Sequence, residues 1–385
     1  MWFLLAACAF RPPAETPALV AAEGPVQTLP LPAGEAVRVA LRAGSAHDPP
    51  GREGLAWVTA HAIAASAGAT VEVGPEVIVF SVSAESVPAL ALALAAPPSP
   101  ERIAAARLNA AQALADLDCR ALAERAWDTW IYTGHPYGHA PEGRLSVLPT
   151  LTAQEVAAFQ EVRYVRSVAV VGIPAGAPVD PALFGSLPPR LSVSPVPSVR
   201  LPLPAAKVLV VTAEGKRCLV AGHPTAADAV PAPTVDALLA GPDASVAARR
   251  RQPRRLVALP LPPGFDIAPR VTQVLDGAWL PLWQATRVFA PEATVPAANA
   301  LGDELLAMHP WPSLARPLVG STGTTTSDVT TGAAPTEPVD ALLAAWLTPS
   351  QTRAVVVLPA DEPAVLESLG ALGVQAALPA QELFQ

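Results

Sequence analysis

Histidines are the side chains of this sequence best suited to bind a metal or to move a proton, and two of the six lie close together. His135 and His139 are four residues apart, a spacing that places both rings on one face of a helix. Pro136 and Gly138 stand between them, and both residue types disfavour a helix. The pattern therefore predicts a structural loop, with a metal site as the less favoured alternative.

His61 stands in an Ala-rich segment that has the character of a helix. Residues 55–66 carry Leu55 and Ile63 on a face that can be buried. Gly68 follows, where a glycine commonly ends a helix. A lone histidine on such a helix is more often a structural residue than a ligand, so His61 by itself predicts no metal site.

The three cysteines are Cys8, Cys119 and Cys218, an odd number at spacings too wide for a metal knuckle or a redox pair. We therefore expect no disulfide framework and interpret Cys119 and Cys218 as small buried hydrophobic residues. The Gly-Ser and Gly-Thr pairs of residues 320–324 lack the strand–turn–helix context of a nucleophile elbow or a phosphate loop. The chemistry of single residues thus identifies no catalytic centre.

The first eight residues, MWFLLAAC, end in a sequence that looks like the lipobox at which bacterial lipoproteins are cleaved and acylated on the cysteine. A Pro-, Ala- and Glu-rich stretch follows, which suits a tether. No Lys or Arg precedes the apolar stretch, which is also short for a signal peptide, and a start codon assigned too late would explain both features. We interpret residues 1–26 as a lipoprotein-type signal and tether, with lipidation at Cys8. The expected location is the periplasmic side of a bacterial cell envelope; a chance Cys in a frayed terminus is the alternative.

Size and composition restrict the class of protein. A chain of 385 residues predicts two or three domains, and no uninterrupted apolar stretch approaches the roughly 20 residues that span a bilayer. The net charge is −8, and the basic residues form no extended field that would attract a nucleic acid. The run RRRQPRR, residues 249–255, has no aromatic residue within it and is interpreted as a solvated loop or helix end.

Hydrophobic periodicity predicts an α+β fold. In the first half it predicts strands at 36–42, 70–73, 77–83 and 167–172, and helices at 55–66, 85–96, 101–132 and 152–159, the last with Thr152 as N-cap and Glu155 in a capping box. In the second half it predicts strands at 207–212, 353–358 and 374–378 and a helix at 362–369.

The same order of elements in both halves predicts two similar domains, each a mostly antiparallel sheet packed with helices. We assign the N-terminal domain to residues 27–175 and the C-terminal domain to residues 206–385, joined by a Pro-rich linker at residues 176–205. The Ser/Thr/Gly stretch of residues 320–332 is interpreted as a flexible or β-rich loop.

Three segments, in the same order along the chain, resemble the insulinase/pitrilysin family of zinc peptidases. GREGLAWVTAHAI, residues 51–63, resembles the segment that reads G-L-A-H-x-x-E-H in active members. Residues 121–173, with GHPYG at 134–138, resemble the end of the family's first domain, and residues 353–374 resemble the end of its second. The resemblance implies two α+β domains that pair with another such chain to enclose a peptide-binding chamber.

Active members of the family hold zinc with two His one helical turn apart and a downstream Glu, while the Glu of the motif acts as general base. Carried over to this sequence, the first His falls at Trp57, the general base at Ala60 and the second His at His61. Because Trp does not ligate zinc and Ala has no carboxylate, the resemblance implies a degenerate site with no catalytic residue, no metal and no cofactor.

Other parts of the family's site are also missing. The third ligand would fall in residues 108–114, LNAAQAL, which contain no Glu or Asp, while Asp116 and Asp118 would need a shift of helix register to reach the site. The family's second domain commonly brings an Arg and a Tyr to the substrate, whereas all three Tyr of this sequence lie in the first domain.

We therefore expect a non-catalytic insulinase-like subunit that pairs with an active homologue and helps to form a peptide-binding chamber. Self-association is the alternative to a hetero-oligomer, and a lipid-anchored peptide-binding or scaffolding protein is the alternative function. A zinc metallopeptidase with relocated ligands, His61 with Asp116 or with a histidine of residues 135–139, also stays open. We expect no nucleic-acid partner, and contact with a membrane through the lipid anchor alone.

Overall fold

The computed structural model describes residues 26–31, 33–189, 196–197, 203–224, 245–249, 254–261, 266–276, 351–370 and 372–385. Cys8 and nearly all of the predicted signal and tether lie outside the described residues. So do the middle of the predicted linker, the stretch 320–332 and most of residues 240–345.

Five strands form the first sheet, and they are β1 (Gln27–Leu31), β2 (Val37–Leu41), β3 (Thr70–Val73), β4 (Ile78–Val82) and β5 (Ala169–Pro174). Their order is β1-β5-β2-β4-β3, and three of the four pairings are antiparallel. The sequence did not predict β1, because a five-residue run that contains Pro30 carries little strand signal.

The helices of the first half are α1 (Leu55–Ala67), α2 (Val87–Ala95), α3 (Pro100–Ala115), α4 (Cys119–Ile131) and α5 (Ala153–Arg163). As predicted, α1 ends at Gly68, which takes the left-handed conformation at φ 62°. The predicted capping box is also present, since Thr152 and Glu155 exchange hydrogen bonds at the start of α5. Local signals thus define these two helix ends correctly.

The single helix predicted over residues 101–132 is wrong, because the chain forms α3 and α4 with a break between them. Asp118 causes the break: its side chain accepts a hydrogen bond from the backbone N–H of Ala121 and so caps a new helix. Asp116 accepts a 2.7 Å hydrogen bond from Gln112 on the preceding turn. Both aspartates therefore stabilise the junction between the two helices.

The second sheet contains β6 (Val208–Thr212), β7 (Cys218–Pro224), β8 (Ser245–Arg249), β9 (Arg254–Pro260), β10 (Arg353–Leu358) and β11 (Val374–Pro379). Their order is β11-β6-β10-β7-β9-β8, with the pairs of β6 parallel and the remaining three pairs antiparallel. Two helices accompany this sheet, α6 (Ile267–Leu275) and α7 (Pro363–Gly370). In the Arg-rich run 249–255, Arg249 ends β8 and Arg254 and Arg255 begin β9, so these residues belong to strands and not to a loop or helix end. Residues 250–253 lie outside the described part.

The two faces of the second sheet belong to different hydrophobic cores. Alternate residues such as Val210 and Val356 pack with α6 and α7. Their neighbours Val211 and Val357 join the core that the first sheet and its helices form. Helix α4 covers the face that carries Val211 and Val357. There the fully buried Trp127 donates a hydrogen bond from its indole N–H to the carbonyl of Arg353 at 3.4 Å. A helix from the first half thus packs on the sheet of the second half.

Cys119 and Cys218 form a disulfide between the start of α4 and the start of β7, with their Cα atoms 6.1 Å apart. The expectation of two free buried cysteines is therefore wrong. The physical reason is tertiary packing, because α4 brings together two residues that are 99 positions apart. Lys216 donates a hydrogen bond to the carbonyl of Leu117 beside the bridge. A bridge that closes so long a loop stabilises a fold by about 2–5 kcal/mol.

The first part of the Pro-dense segment packs against the first half of the chain. A short 3₁₀ helix, Pro181–Ser186, contacts α2 and buries Phe184 completely. The backbone N–H of Arg166 donates to the carbonyl of Pro188 at 2.9 Å. The chain therefore stays on the first core up to residue 188 at least. In the described part of the chain, no helix is both long and apolar enough to cross a membrane.

Candidate functional site

The start of helix α1 is held by a carboxylate. Asp48 accepts hydrogen bonds from the backbone N–H groups of Gly54 and Ala56, each at 2.7 Å. Burial raises the pKa of the Asp48 carboxyl, although these two hydrogen bonds act in the opposite direction. The N–H groups at a helix start are ordinarily left without partners, so Asp48 fixes both the position and the direction of α1.

The loop that follows GHPYG closes against the same helix start. A Cβ atom on Gly54, which has φ 99°, would lie 2.8 Å from the carbonyl oxygen of Glu142. A Cβ atom on Gly143, also at φ 99°, would lie 2.4 Å from the carbonyl oxygen of Glu53. Two glycines therefore allow the two backbones to touch, and this contact sets Glu142 beside α1.

The three residues that the resemblance assigns to a degenerate zinc site have different surroundings on α1. The rings of Trp57 and His61 are stacked, with centroids 4.2 Å apart and an angle of 23° between their planes, and both residues are half-buried. Ala60 is 0% exposed and lies in the hydrophobic core. The aromatic ring of Trp57 thus covers one face of His61, and Ala60 contributes only a methyl group, which is packed into the core.

Glu142 forms an ion pair beside this stack. Its Oε1 lies 3.0 Å from the Nη2 of Arg125 on α4, and its side chain is 5% exposed. Burial lowers the pKa of His61, and the negative charge of Glu142 acts in the opposite direction. Burial thus favours the neutral form of His61, and the positive charge that pairs with Glu142 is the guanidinium of Arg125.

Polar atoms around the stack are shielded from solvent. Trp57 Nε1, His61 Nε2, Glu142 Oε2 and Arg125 Nε each have almost no exposed surface and no hydrogen-bond partner in the described part of the chain. Such atoms are uncommon in folded proteins. They lie around Trp57 and His61, two of the positions that the resemblance assigned to a degenerate zinc site.

These residues do not fit a zinc ion. Zinc sites of this type take three protein ligands, and the described residues contain no group of three His, Cys, Asp or Glu side chains that could hold a metal. Helix α3 packs on α1, but its residues 108–114 carry no carboxylate. Asp116 and Asp118 are engaged at the junction of α3 and α4. No step of metal chemistry can be derived for this arrangement.

The GHPYG loop has a structural role in the described chain. The hydroxyl of Tyr137 donates a 2.6 Å hydrogen bond to buried Glu76. The backbone N–H of Tyr137 donates to Nδ1 of His135, whose Nε2 lies 3.0 Å from the carbonyl of Pro197. His139 directs Nδ1 toward the carbonyl of Ala140, and burial lowers its pKa. The two histidines thus interact with the backbone, in agreement with the predicted structural loop.

Three solved structures with a similar fold are a peptidase domain, a protease and pitrilysin. The inactive domain of a peptidase M16 from Pseudomonas fluorescens is 15% identical with a TM-score of 0.58, and the match covers 89% of this chain and 97% of that chain. A protease from Helicobacter pylori is 14% identical with a TM-score of 0.55 over 88% and 98% of the two chains. Pitrilysin is 13% identical with a TM-score of 0.54, and the match covers 91% of this chain and 48% of pitrilysin.

A scan against protein-family models finds no match, and a search of curated proteins finds none either. The structural matches extend over most of the chain, and they establish that it has the α+β fold of the insulinase/pitrilysin-type peptidases. The predicted resemblance is confirmed at the level of the fold.

Three charged residues that lie around α1, namely Asp48, Glu142 and Arg125, were not identified from the sequence. Asp48, Glu142 and Arg125 are separated along the sequence, and charged residues of these types are common on any surface. The disulfide could have been anticipated: once Cys8 is assigned to lipidation, the two remaining cysteines form an even pair in a compartment that permits disulfides.

Proposed function

We propose that this chain is a non-catalytic insulinase-like subunit that pairs with an active homologue and helps to form its peptide-binding chamber. The observation that carries the proposal is the state of α1. The peptidase fold is retained, while Trp57 is stacked on His61 and Ala60 is packed into the core. In active members these positions supply two zinc ligands and a general base, so this chain keeps the scaffold without the chemistry.

The proposed pairing also rests on the architecture. We assign the first sheet with its helices and the second sheet with its helices to the two similar domains, with the Pro-rich residues 176–205 as the linker. Each sheet is mostly antiparallel and is covered by helices, as the proposal requires. Helix α4 and the Cys119–Cys218 bridge join the two halves of the chain. In the proposed pairing, the joined halves offer a partner chain one rigid surface.

We further propose that the protein lies on the periplasmic side of a bacterial envelope, anchored by a lipid on Cys8. Two features support this location. The sequence LAAC resembles a lipobox, and the Cys119–Cys218 disulfide requires an oxidising compartment to form and persist. Mass spectrometry of the protein from its native membrane tests the anchor, since an acylated Cys8 as the first residue is the expected result. A mature chain with unmodified residues 1–7 would contradict it.

Copurification tests the pairing. A C-terminally tagged chain is isolated from its native cells under mild detergent, and the associated proteins are identified by mass spectrometry. The proposal expects a stoichiometric partner of the same fold that carries an intact H-x-x-E-H motif and a chelator-sensitive peptidase activity in the complex. Recovery of the chain without any peptidase-like partner would contradict it and favour a separate peptide-binding role.

A further inference from the structure

A second group of charged side chains lies where the end of β2, the segment before α1 and the end of α5 meet. The backbone N–H of Arg42, just after β2, donates to the carbonyl of Val168 at 3.3 Å. Helix α5 packs on α1 and ends at Arg163. Five side chains of these segments form what we call the Arg163 cluster, and they are Arg42, His47, Asp48, Arg163 and Tyr164.

The charges of the Arg163 cluster act on one another. Burial and the nearby cations Arg163 and Arg42 lower the pKa of His47 to about 3. Burial raises the pKa of Asp48, and the charge of Arg163 acts in the opposite direction. Burial also raises the pKa of Tyr164, and the negative charge of Asp48 adds to that effect. Each of the five side chains therefore lies within electrostatic reach of at least one other.

Positive charge exceeds negative charge in the cluster. Its one acid, Asp48, already accepts two backbone hydrogen bonds from the start of α1. Glu53 also faces Asp48, but it forms an ion pair with Arg144 at 3.9 Å. Among the described residues the ion pairs are formed by other arginines, and Arg163 takes part in none of them. Burial lowers the pKa of Arg163 against the effect of Asp48, as expected for a cation with too little negative charge around it.

Two hydrogen-bond donors of the cluster are buried without an acceptor. Nη1 of Arg163 and the hydroxyl of Tyr164 have almost no exposed surface and no hydrogen-bond partner in the part of the chain that the structure describes. Tyr164 as a whole is 0% exposed. Buried donors are nearly always paired in folded proteins, because an unpaired one loses its contact with water and gains nothing. An acceptor with negative charge would satisfy both donors and balance the arginines.

We propose that the Arg163 cluster binds a small oxyanion, a carboxylate or phosphate group. The guanidinium of Arg163 and the hydroxyl of Tyr164 donate to the oxyanion, and Arg42 contributes a second positive charge. Arg163 and Asp48 are half-buried, so the cluster reaches solvent on one side. A metal cation is disfavoured there, because the two arginines repel it. The site uses neither Trp57 nor His61 and does not depend on the pairing proposed above.

Arg52 provides a matched control. It lies in the same segment before α1, four residues after Asp48, but its guanidinium already pairs with Glu155 of α5. The variant R52Q removes one positive charge from the neighbourhood of the cluster and none of the proposed contacts to the anion.

Calorimetric titration and thermal denaturation of the full chain test the proposal, with C8S to prevent acylation. Phosphate or acetate replaces chloride at constant ionic strength and pH 7.5. We expect a saturable rise in Tm and a measurable dissociation constant. R163Q should weaken binding at least about tenfold and Y164F about threefold, while R52Q stays within about twofold of the parent chain. The anion that binds more tightly identifies the source as a phosphate group or a carboxylate.

Circular dichroism and the Tm in chloride verify that the variants are folded, and Y164F keeps the aromatic packing while it removes the hydroxyl alone. In NMR spectra of the parent chain, the bound anion should shift the imidazole signals of His47, because it places a negative charge beside the ring. Absence of a saturable rise in Tm with either anion would overturn the proposal. Equal weakening by R163Q and R52Q would overturn it too, because binding would then follow net charge and not the Arg163 cluster.

Discussion

Helix α1 and the loop of residues 134–143 contact one another at the glycines 54 and 143, yet their side chains have different roles. On α1, Trp57 and Ala60 stand at the positions to which the resemblance assigns a zinc ligand and the general base of active peptidases. In the loop, the residues of GHPYG hold backbone and buried groups in place. We infer that side chains needed only for chemistry can be replaced at little cost to the fold, whereas replacement of those that satisfy buried polar groups is costly.

The energetics of the two regions explain this difference. Tyr137 is 4% exposed and its hydroxyl donates to the buried carboxylate of Glu76, so its removal leaves a buried acceptor with fewer partners. Trp57 is half-buried and contributes a stacking contact, which other apolar or aromatic residues can replace in part. Substitutions should therefore be costly in the loop and inexpensive at the site face of α1.

The largest effect is expected for Gly138→Ala in the loop. A Cβ atom there would lie 2.2 Å from the backbone oxygen of Tyr132, which cannot move without displacing the end of α4. We expect the free energy of unfolding to fall by more than about 3 kcal/mol in urea denaturation.

Gly134→Ala is the control for this variant within the same loop. Gly134 has φ 79° but has no atom within 4 Å of the added Cβ, so a loss of about 1 kcal/mol is expected. Equal losses for the two variants would show that the tight packing of the loop is not what stabilises it.

The disulfide provides the next largest effect. The double variant C119S/C218S should lose about 3 kcal/mol of stability, measured by denaturation of oxidised and reduced samples. Reductant should destabilise the parent chain by a similar amount and leave the double variant unchanged. The account would be contradicted if a reductant opened the bridge and the stability of the parent chain did not change.

We expect the stability of the fold to depend on pH because of His47. This residue directly precedes Asp48, which accepts the hydrogen bonds from the start of α1. Burial and the nearby cations Arg163 and Arg42 lower the pKa of His47 from 6.5 to about 3. Between these pH values the unfolded chain binds more protons than the folded chain, so stability falls as the pH drops below 6.5.

The fold should lose about 3 kcal/mol of stability through His47 between neutral pH and roughly pH 4. His47→Gln, compared with the parent chain in denaturant titrations at pH 7.5 and 4, should remove that part of the acid-induced loss. An unchanged pH dependence in the variant would mean that His47 accepts a proton within the fold.

The smallest effect on stability is expected at the degenerate site itself. Trp57→His should change the free energy of unfolding by about 1 kcal/mol and place two histidines one turn apart on α1. Zinc titration by calorimetry should detect weak binding that Trp57→Phe does not produce. Hydrolysis should stay absent in both, because Ala60 still has no carboxylate; a loss of stability as large as that of Gly138→Ala would contradict the comparison between helix and loop.

Local signals in the sequence were sufficient for much of the fold. The continuous apolar runs of β6 and β10, the glycine that ends α1 and the capping box of α5 each depend on neighbours along the chain, and each was predicted correctly. The break between α3 and α4 also has a local cause, the cap at Asp118, but the alanines and leucines around it masked the signal.

Features that depend on distant contacts could not be predicted from the sequence. The packing of α4 on the second sheet, the Cys119–Cys218 bridge and the ion pair of Glu142 with Arg125 join residues whose proximity is fixed by the tertiary fold. For the site, the family motif was sufficient to locate Trp57, Ala60 and His61 on one helix. Their surroundings were not predictable, because the stacking of Trp57 on His61 and the half-buried cation Arg125 come from packing that the motif does not encode.

The most direct test of the central claim is elemental analysis of the purified chain, combined with peptide hydrolysis in the presence and absence of a chelator. The account predicts zinc far below one ion per chain and no chelator-sensitive cleavage, because α1 offers a single histidine covered by Trp57. Roughly one zinc per chain together with cleavage that the chelator abolishes would contradict it and would require ligands and a general base elsewhere in the chain.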